Sequence, residues 1–182
     1  MRILVALAFV SIVEISSAEI PDIFVDKGAC PGEGCTYCGL YRASQSFDLL
    51  REPSTSSEVV GKVLAEETFI SKTGEVHTVP TRFEVHEASG PFLPGDDVFA
   101  LTYGGEGWFR VFHNGELIDA DLGFSPWGGG AGKTCDKPEF CFGQLTKDLE
   151  FTWWIFVVSE SGAQGWTAHD NSMKWIDGDP WF

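Results

Sequence analysis

Residues 151–158 read Phe-Thr-Trp-Trp-Ile-Phe-Val-Val, and residues 161–168 read Ser-Gly-Ala-Gln-Gly-Trp-Thr-Ala. The first run is β-branched and aromatic throughout, has strand length, and is the strongest strand signal in the chain. Ser161-Gly162-Ala163-Gln164 is turn chemistry, and Gly165-Trp166-Thr167-Ala168 is a short return strand. Working outward, the same alternation of short apolar runs and turn residues recurs. Asp97 to Tyr103 and Gly107 to Phe112 flank Gly104-Gly105-Glu106, a glycine-rich hairpin connection. Further back come Val59-Val60-Gly61-Lys62-Val63-Leu64, Phe69-Ile70-Ser71, Glu75-Val76-His77-Thr78-Val79 and Phe83-Glu84-Val85-His86. No stretch after the N-terminus has helical periodicity over a useful length. The fold class is all-β, built from many short strands at close spacing as a small barrel or sandwich.

The N-terminus is of another kind. Met1-Arg2 precedes the apolar run ILVALAFVSIV at 3–13, and Ser16-Ser17-Ala18 supplies small residues where a signal peptidase cuts. Residues 1–18 read as a signal peptide, too short to span a bilayer as a mature helix. No cysteine follows the cleavage site, so the expected product is soluble, not membrane-embedded, and periplasmic or secreted. Its net charge of −15 lies wholly beyond the signal, because Arg2 and Glu14 cancel within it. A surface this acidic repels phosphate backbones, which excludes nucleic acid as a partner.

Five cysteines fit an oxidising compartment. Cys135 and Cys141, across Asp-Lys-Pro-Glu-Phe, form the expected local bridge, and the pairing of Cys30, Cys35 and Cys38 stays open. Zinc is the rival, since Cys35-x-x-Cys38 has ligand spacing, but the second pair is more widely spaced than zinc sites use.

Motifs that suggest catalysis fail on context. Gly128-Gly129-Gly130-Ala131-Gly132-Lys133-Thr134 looks like a phosphate loop, yet the glycine the pattern needs is Trp127 and no helix follows. His86-Glu87-Ala88-Ser89-Gly90 opens like a zinc-protease helix but has Gly90 where the second histidine belongs. Adjacent carboxylates such as Glu66-Glu67 and Asp96-Asp97 point to opposite faces of a strand and make no acid/base pair. The sequence reading is therefore of a protein with no enzyme activity and no cofactor.

Two phrases carry a family resemblance. Leu50-Arg51-Glu52-Pro53-Ser54-Thr55-Ser56-Ser57-Glu58-Val59-Val60 resembles the opening of bacterial Src-homology-3-like (SH3b) domains, where a strand leads into an R-x-x-P/S loop. Trp153-Trp154-Ile155-Phe156-Val157 with Gly162-x-x-Gly165-Trp166 is similar to the closing hairpin of that family. The resemblance covers roughly residues 40–177 and implies two SH3-like barrels in tandem after a Gly/Cys-rich lead-in at 19–40. The first barrel is expected at 41–90, and the second at 91–178 with an insertion at 115–147. The first lacks a G-W close of its own, and one elaborated barrel is the other arrangement.

What the resemblance implies is a non-catalytic binding or scaffolding role in the bacterial envelope, with peptide, peptidoglycan or an envelope protein as ligand. The alternative is a structural protein whose barrels associate only with themselves or each other. The expected binding strip lies between the loop at 51–57 and the hairpin at 161–166. Arg51, Trp166 and whichever of Trp153 and Trp154 faces outward are its expected ligand-binding residues, since alternation sends those two indoles to opposite faces. Nearby carboxylates favour a cationic ligand there.

Overall fold

The strand-turn-strand reading of residues 151–168 is an observed hairpin, Glu150–Ser159 paired antiparallel with Gln164–Ala168. It belongs to a computed structural model that describes residues 19–32, 35, 38–126, 142–170 and 172–176. The expected signal peptide, the Cys135–Cys141 bridge and the 128–134 glycine loop lie outside the described residues. The described chain is all-β, with thirteen strands in two curled antiparallel sheets, and holds no helix long and apolar enough to cross a membrane.

In chain order the strands are β1 (Phe24–Lys27), β2 (Gly39–Ala43), β3 (Phe47–Leu50), β4 (Val59–Val63), β5 (Thr68–Val79), β6 (Thr81–Val85) and β7 (Val98–Gly105). They continue with β8 (Trp108–His113), β9 (Glu116–Asp121), β10 (Gly143–Leu145), β11 (Glu150–Ser159), β12 (Gln164–Ala168) and β13 (Met173–Trp175). The first sheet runs β13-β2-β5-β11-β12-β3-β4, with β1 also on β5. The second runs β10-β6-β7-β8-β9.

The long strand β5 organises the first sheet. One of its edges pairs with β11 from Val79↔Glu150 to Phe69↔Ser159; β2 and β1 pair with its 68–71 and 75–78 segments. The register shifts between Phe156 and Val157, where Lys72 is the extra residue, and such a bulge bends and twists a sheet towards closure. Beyond Val79, Pro80 has no N–H to continue a ladder, and the chain leaves for the second sheet at β6.

Each sheet has its own core. Tyr41, Leu49, Val63, Phe69, Ile155 and Val157 fill the first; Phe83, Phe92, Val98, Phe109, Val111 and Leu122 fill the second. Alternation produces both: β6 is buried at Thr81, Phe83 and Val85 and exposed at Arg82 and Glu84. Burying each of these large apolar side chains stabilises by about 1.5–3 kcal/mol.

Two expectations need correction. The sheets do not divide the chain at 90/91, because β11, β12 and β13 pair with β5, β3 and β2 and complete the first sheet after the second has been built. The segment 115–147 is not a separate insertion at either described end: β9 hydrogen-bonds to β8, and β10 to β6, as the two edges of the second sheet. The Gly/Cys-rich lead-in joins the first sheet. It contributes β1 and a Cys30–Cys35 disulfide, which leaves Cys35-x-x-Cys38 unable to serve as a zinc pair.

Candidate binding site

The two sequence phrases, about a hundred residues apart, meet in the first sheet. Trp166 on β12 lies opposite both Phe156 on β11 and Leu50 on β3, and Leu50 leads into the 51–57 loop. That loop is closed at its base. The Arg51 N–H donates to the Glu58 carbonyl at 2.9 Å, and the Arg51 guanidinium Nε and Nη2 reach Glu58 Oε2 at 3.1 and 2.9 Å. Inside it, the Glu52 N–H donates to Ser57 Oγ at 3.0 Å, the kind of local bond that Ser-rich turns supply.

β11 presents two faces. Trp153, Ile155 and Val157 face the first core; Trp154, Phe156 and Val158 lie on the other side, opposite Ala168, Trp166 and Gln164 of β12. Trp154 and Trp166 therefore share a face with Phe156, and Phe156 meets Trp166 edge to face at 5.5 Å. Trp153 is a core-side residue. It stacks on His169 at 4.2 Å, and its Nε1 is buried without a hydrogen-bond partner. Burial pushes the His169 imidazole below its ordinary pKa, with Asp170 opposing.

Two concavities open along the outer strip. One, of about 660 Å³, is lined by Arg51, Glu58, Val59, Val60, Phe156 and the 162–165 turn. The other, of about 490 Å³, is lined by Pro53, Ser54 and Thr55 of the loop, with His77, Glu150 and Trp154 among its other walls. The 51–58 segment borders both. Trp154 is only 4% exposed and gives the groove part of its wall, not a projecting platform. His77 sits 6.2 Å from it, ring to ring, with its Nε2 3.0 Å from Glu75 Oε2.

The structure thus brings Arg51, Trp154 and Trp166 to one face and sends Trp153 to the other. Of the two indoles expected on opposite faces, the outer one, Trp154, is buried and lines a concavity together with loop residues 53–55 and His77. Arg51 is already engaged by Glu58, so it acts at the rim as part of an ion pair with both side chains largely exposed. Sequence reasoning missed Phe156, Val59 and Val60 as wall residues. Phe156 was legible from alternation with Trp154. Val59 and Val60 depend on the register shift opposite Leu49 and Leu50, which no local pattern reveals.

Chemically the strip sets a few aromatic and aliphatic side chains, Trp154, Phe156, Val59 and Val60, in a lining whose surface is otherwise mostly polar. No cluster of histidines, cysteines and carboxylates able to hold a metal occurs among the described residues. No known family model matches the chain, and neither a curated protein nor a solved structure matches it.

Proposed function

We propose that this chain is an exported, non-catalytic binding module of the bacterial envelope that takes an extended peptide, from a peptidoglycan stem or an envelope protein, in the strip between the 51–58 loop and the 161–166 hairpin. The observation that carries this reading is the meeting of Leu50 and Trp166 in one sheet, with a groove on either side of the loop between them. It supports the resemblance to bacterial SH3-like domains, in which the same two elements frame the ligand. The Cys30–Cys35 bridge supports an oxidising compartment, and Glu150 at the Trp154 end suits a ligand that carries amines.

A pull-down on purified cell wall, run beside whole envelope protein, tests the proposal with Trp166→Ala and Arg51→Ala. Trp166 is half-buried and meets Phe156, a wall residue of the groove, edge to face, so its loss removes the ring that supports that wall while the first core keeps its contents. Wild-type capture that Trp166→Ala loses, with a melting temperature within a few degrees of wild type, is the expected result. Equal capture by both proteins overturns it.

One observation favours a second reading, self-association. β4 ends the first sheet, and it carries Val59 at 54% exposure beside an exposed Val60. An exposed apolar edge strand is a template for pairing with another chain. Sedimentation of wild type against Val60→Lys separates the readings: a dimer that the lysine dissolves supports self-association through this edge.

A further inference from the structure

The second sheet carries an indole that neither core nor strip uses. Trp108, at the start of β8, is 50% exposed, against 4% for Trp154. Its cross-strand neighbours explain why: on β7 it faces Gly105, which has no side chain to cover the ring, and on β9 it faces Asp121. The ring stands between two concavities and lines both. One, of about 430 Å³, is also walled by Phe92, Asp119, Asp121 and Phe142; the other, of about 490 Å³, by Asp26, Thr102, Arg110 and Asp119.

The polar groups around Trp108 are fixed and unequal in sign. The Arg110 guanidinium donates to Asp26 Oδ1 at 3.0 Å and to Asp119 Oδ1 at 3.1 Å, so both its flanks are taken. Asp26 is 9% exposed and arrives from β1 of the other sheet, which fastens the arrangement across the molecule. Three carboxylates, Asp26, Asp119 and Asp121, line the concavities beside the indole against one guanidinium that is already paired, and Asp121 Oδ1 accepts from the Gly123 N–H at 2.8 Å. A separate sign of a ligand is Thr102. It lines the second concavity, is 6% exposed, and its Oγ1 has no hydrogen-bond partner. A buried hydroxyl left unsatisfied costs about 1–3 kcal/mol, so native structures usually give it a partner.

We infer that Trp108, Asp119 and Thr102 form a second binding site, distinct from the strip on the first sheet, for an organic cation: the guanidinium or ammonium of an arginine or lysine side chain. The indole face attracts a cation more strongly than any other side-chain ring does. The surplus carboxylate charge selects against anions, and the chain's net charge of −15 raises the local concentration of cations. Thr102 Oγ1 accepts from an N–H of the ligand, which a guanidinium or primary ammonium supplies.

The test is a titration of the purified protein, followed through the indole N–H resonances, with four probes. These are arginine and lysine each capped by acetyl and amide groups, tetramethylammonium, and a neutral tetrasaccharide. Capped arginine should shift the Trp108 resonance saturably, bind more tightly than tetramethylammonium, which has no N–H, and weaken as salt is raised. Trp108→Ala and Trp108→Leu should each lower the affinity about tenfold, while Trp166→Ala leaves it unchanged. Thr102→Val should weaken capped arginine with no loss of melting temperature, because it removes a hydroxyl that bonds to nothing in the unliganded protein. Three results overturn the inference: no saturable shift with any cation, wild-type affinity in both Trp108 variants, or a Trp108 shift by the saccharide alone.

Discussion

The two sheets are built by opposite strategies from the same kind of strand. The second sheet is mostly a meander, β6 to β9 in sequence order with short turns after β7 and β8, and only β10 is added from further along. The first is assembled from both ends of the described chain. Its longest ladder joins β5 to β11, with the whole second sheet lying between them in sequence. Closing so long a loop costs only slowly more entropy with length, but the ladder must be repaid by contacts that form late. The aromatic hairpin at 150–168 is therefore not part of the second sheet. It completes the first, where Trp166 of β12 pairs with Leu50 of β3.

Emptying one core while following the other gives the largest expected effect. Phe69 is 1% exposed, stacks on Tyr41 and meets Phe47 edge to face; Phe83 is fully buried and stacks on Phe124. Phe69→Ala and Phe83→Ala should each cost about 3–5 kcal/mol. Hydrogen exchange should show the Phe83 variant opening β6 to β10 while the β5–β11 ladder keeps its protection. The Phe69 variant should open both sheets together, because β5 and β11 hold the ends of the second sheet in place. Equal loss of protection in both variants would merge the two sheets into one cooperative unit.

A smaller effect sharpens the same contrast through two glycines. A Cβ on Gly165 would lie 2.8 Å from the Leu50 carbonyl oxygen and 3.0 Å from Leu49 Cβ, at the β12–β3 seam of the first sheet. At Gly143 it would fall onto the Glu84 carbonyl oxygen and the Phe83 ring, at the β10–β6 seam of the second. Both contacts are closer than real Cβ atoms make, so backbone or ring must give way, at about 1–3 kcal/mol each. Gly165→Ala should loosen β12 and weaken any ligand held by the strip; Gly143→Ala should leave the strip unaffected. Circular dichroism melts paired with the capture assay separate the two, and identical capture by both variants would count against the strip.

What was legible in the sequence follows the same divide. Short-range signals came through: the hairpin at 151–168, the glycine-rich connection between β7 and β8, and the all-β character. Alternation alone put Trp153 and Trp154 on opposite faces, as they are. Which face became core was not legible, because that depends on distant residues gathering on the Trp153 side: His169 stacks on Trp153, and Tyr41 of β2 meets His169 from far away in sequence. The 90/91 boundary misled for the same reason. Pro94-Gly95-Asp96 is a true turn, with Gly95 at φ 94°, but a turn marks a change of strand and not a change of sheet. The Cys30–Cys35 bridge had one overlooked cue, Pro31-Gly32, a turn that brings the flanking residues together.

The smallest effect distinguishes the sheets by acid. Glu67, in the turn between β4 and β5, accepts from the Leu64 N–H at 2.8 Å and from the Ser161 N–H at 3.0 Å, so it ties that turn to the β11–β12 hairpin. The Leu64 bond is the largest cause, and bonds from Ser161 add to it, holding the Glu67 carboxyl down at about 2 against an ordinary 4.5. Because the folded value is the lower one, the bonds stabilise fully above pH 4.5 and are lost as pH falls from there towards 2. Asp96 is the counterpart in the second sheet. The Leu93 N–H chiefly, then His113 at 2.9 Å, lower its pKa. Melting temperature between pH 5 and pH 2.5 should therefore fall less steeply in Glu67→Gln than in wild type, with β12 as the element whose exchange protection ceases to depend on pH. Asp96→Asn should flatten the same profile for β7 and β8 instead. If Glu67→Gln leaves the acid slope of β12 unchanged, the carboxylate is not the acid-sensitive link between the two turns, which are then joined by the bonds from the Glu160 N–H to the Thr68 carbonyl at 3.0 Å and from the Thr68 hydroxyl to Glu160 Oε2 at 2.8 Å.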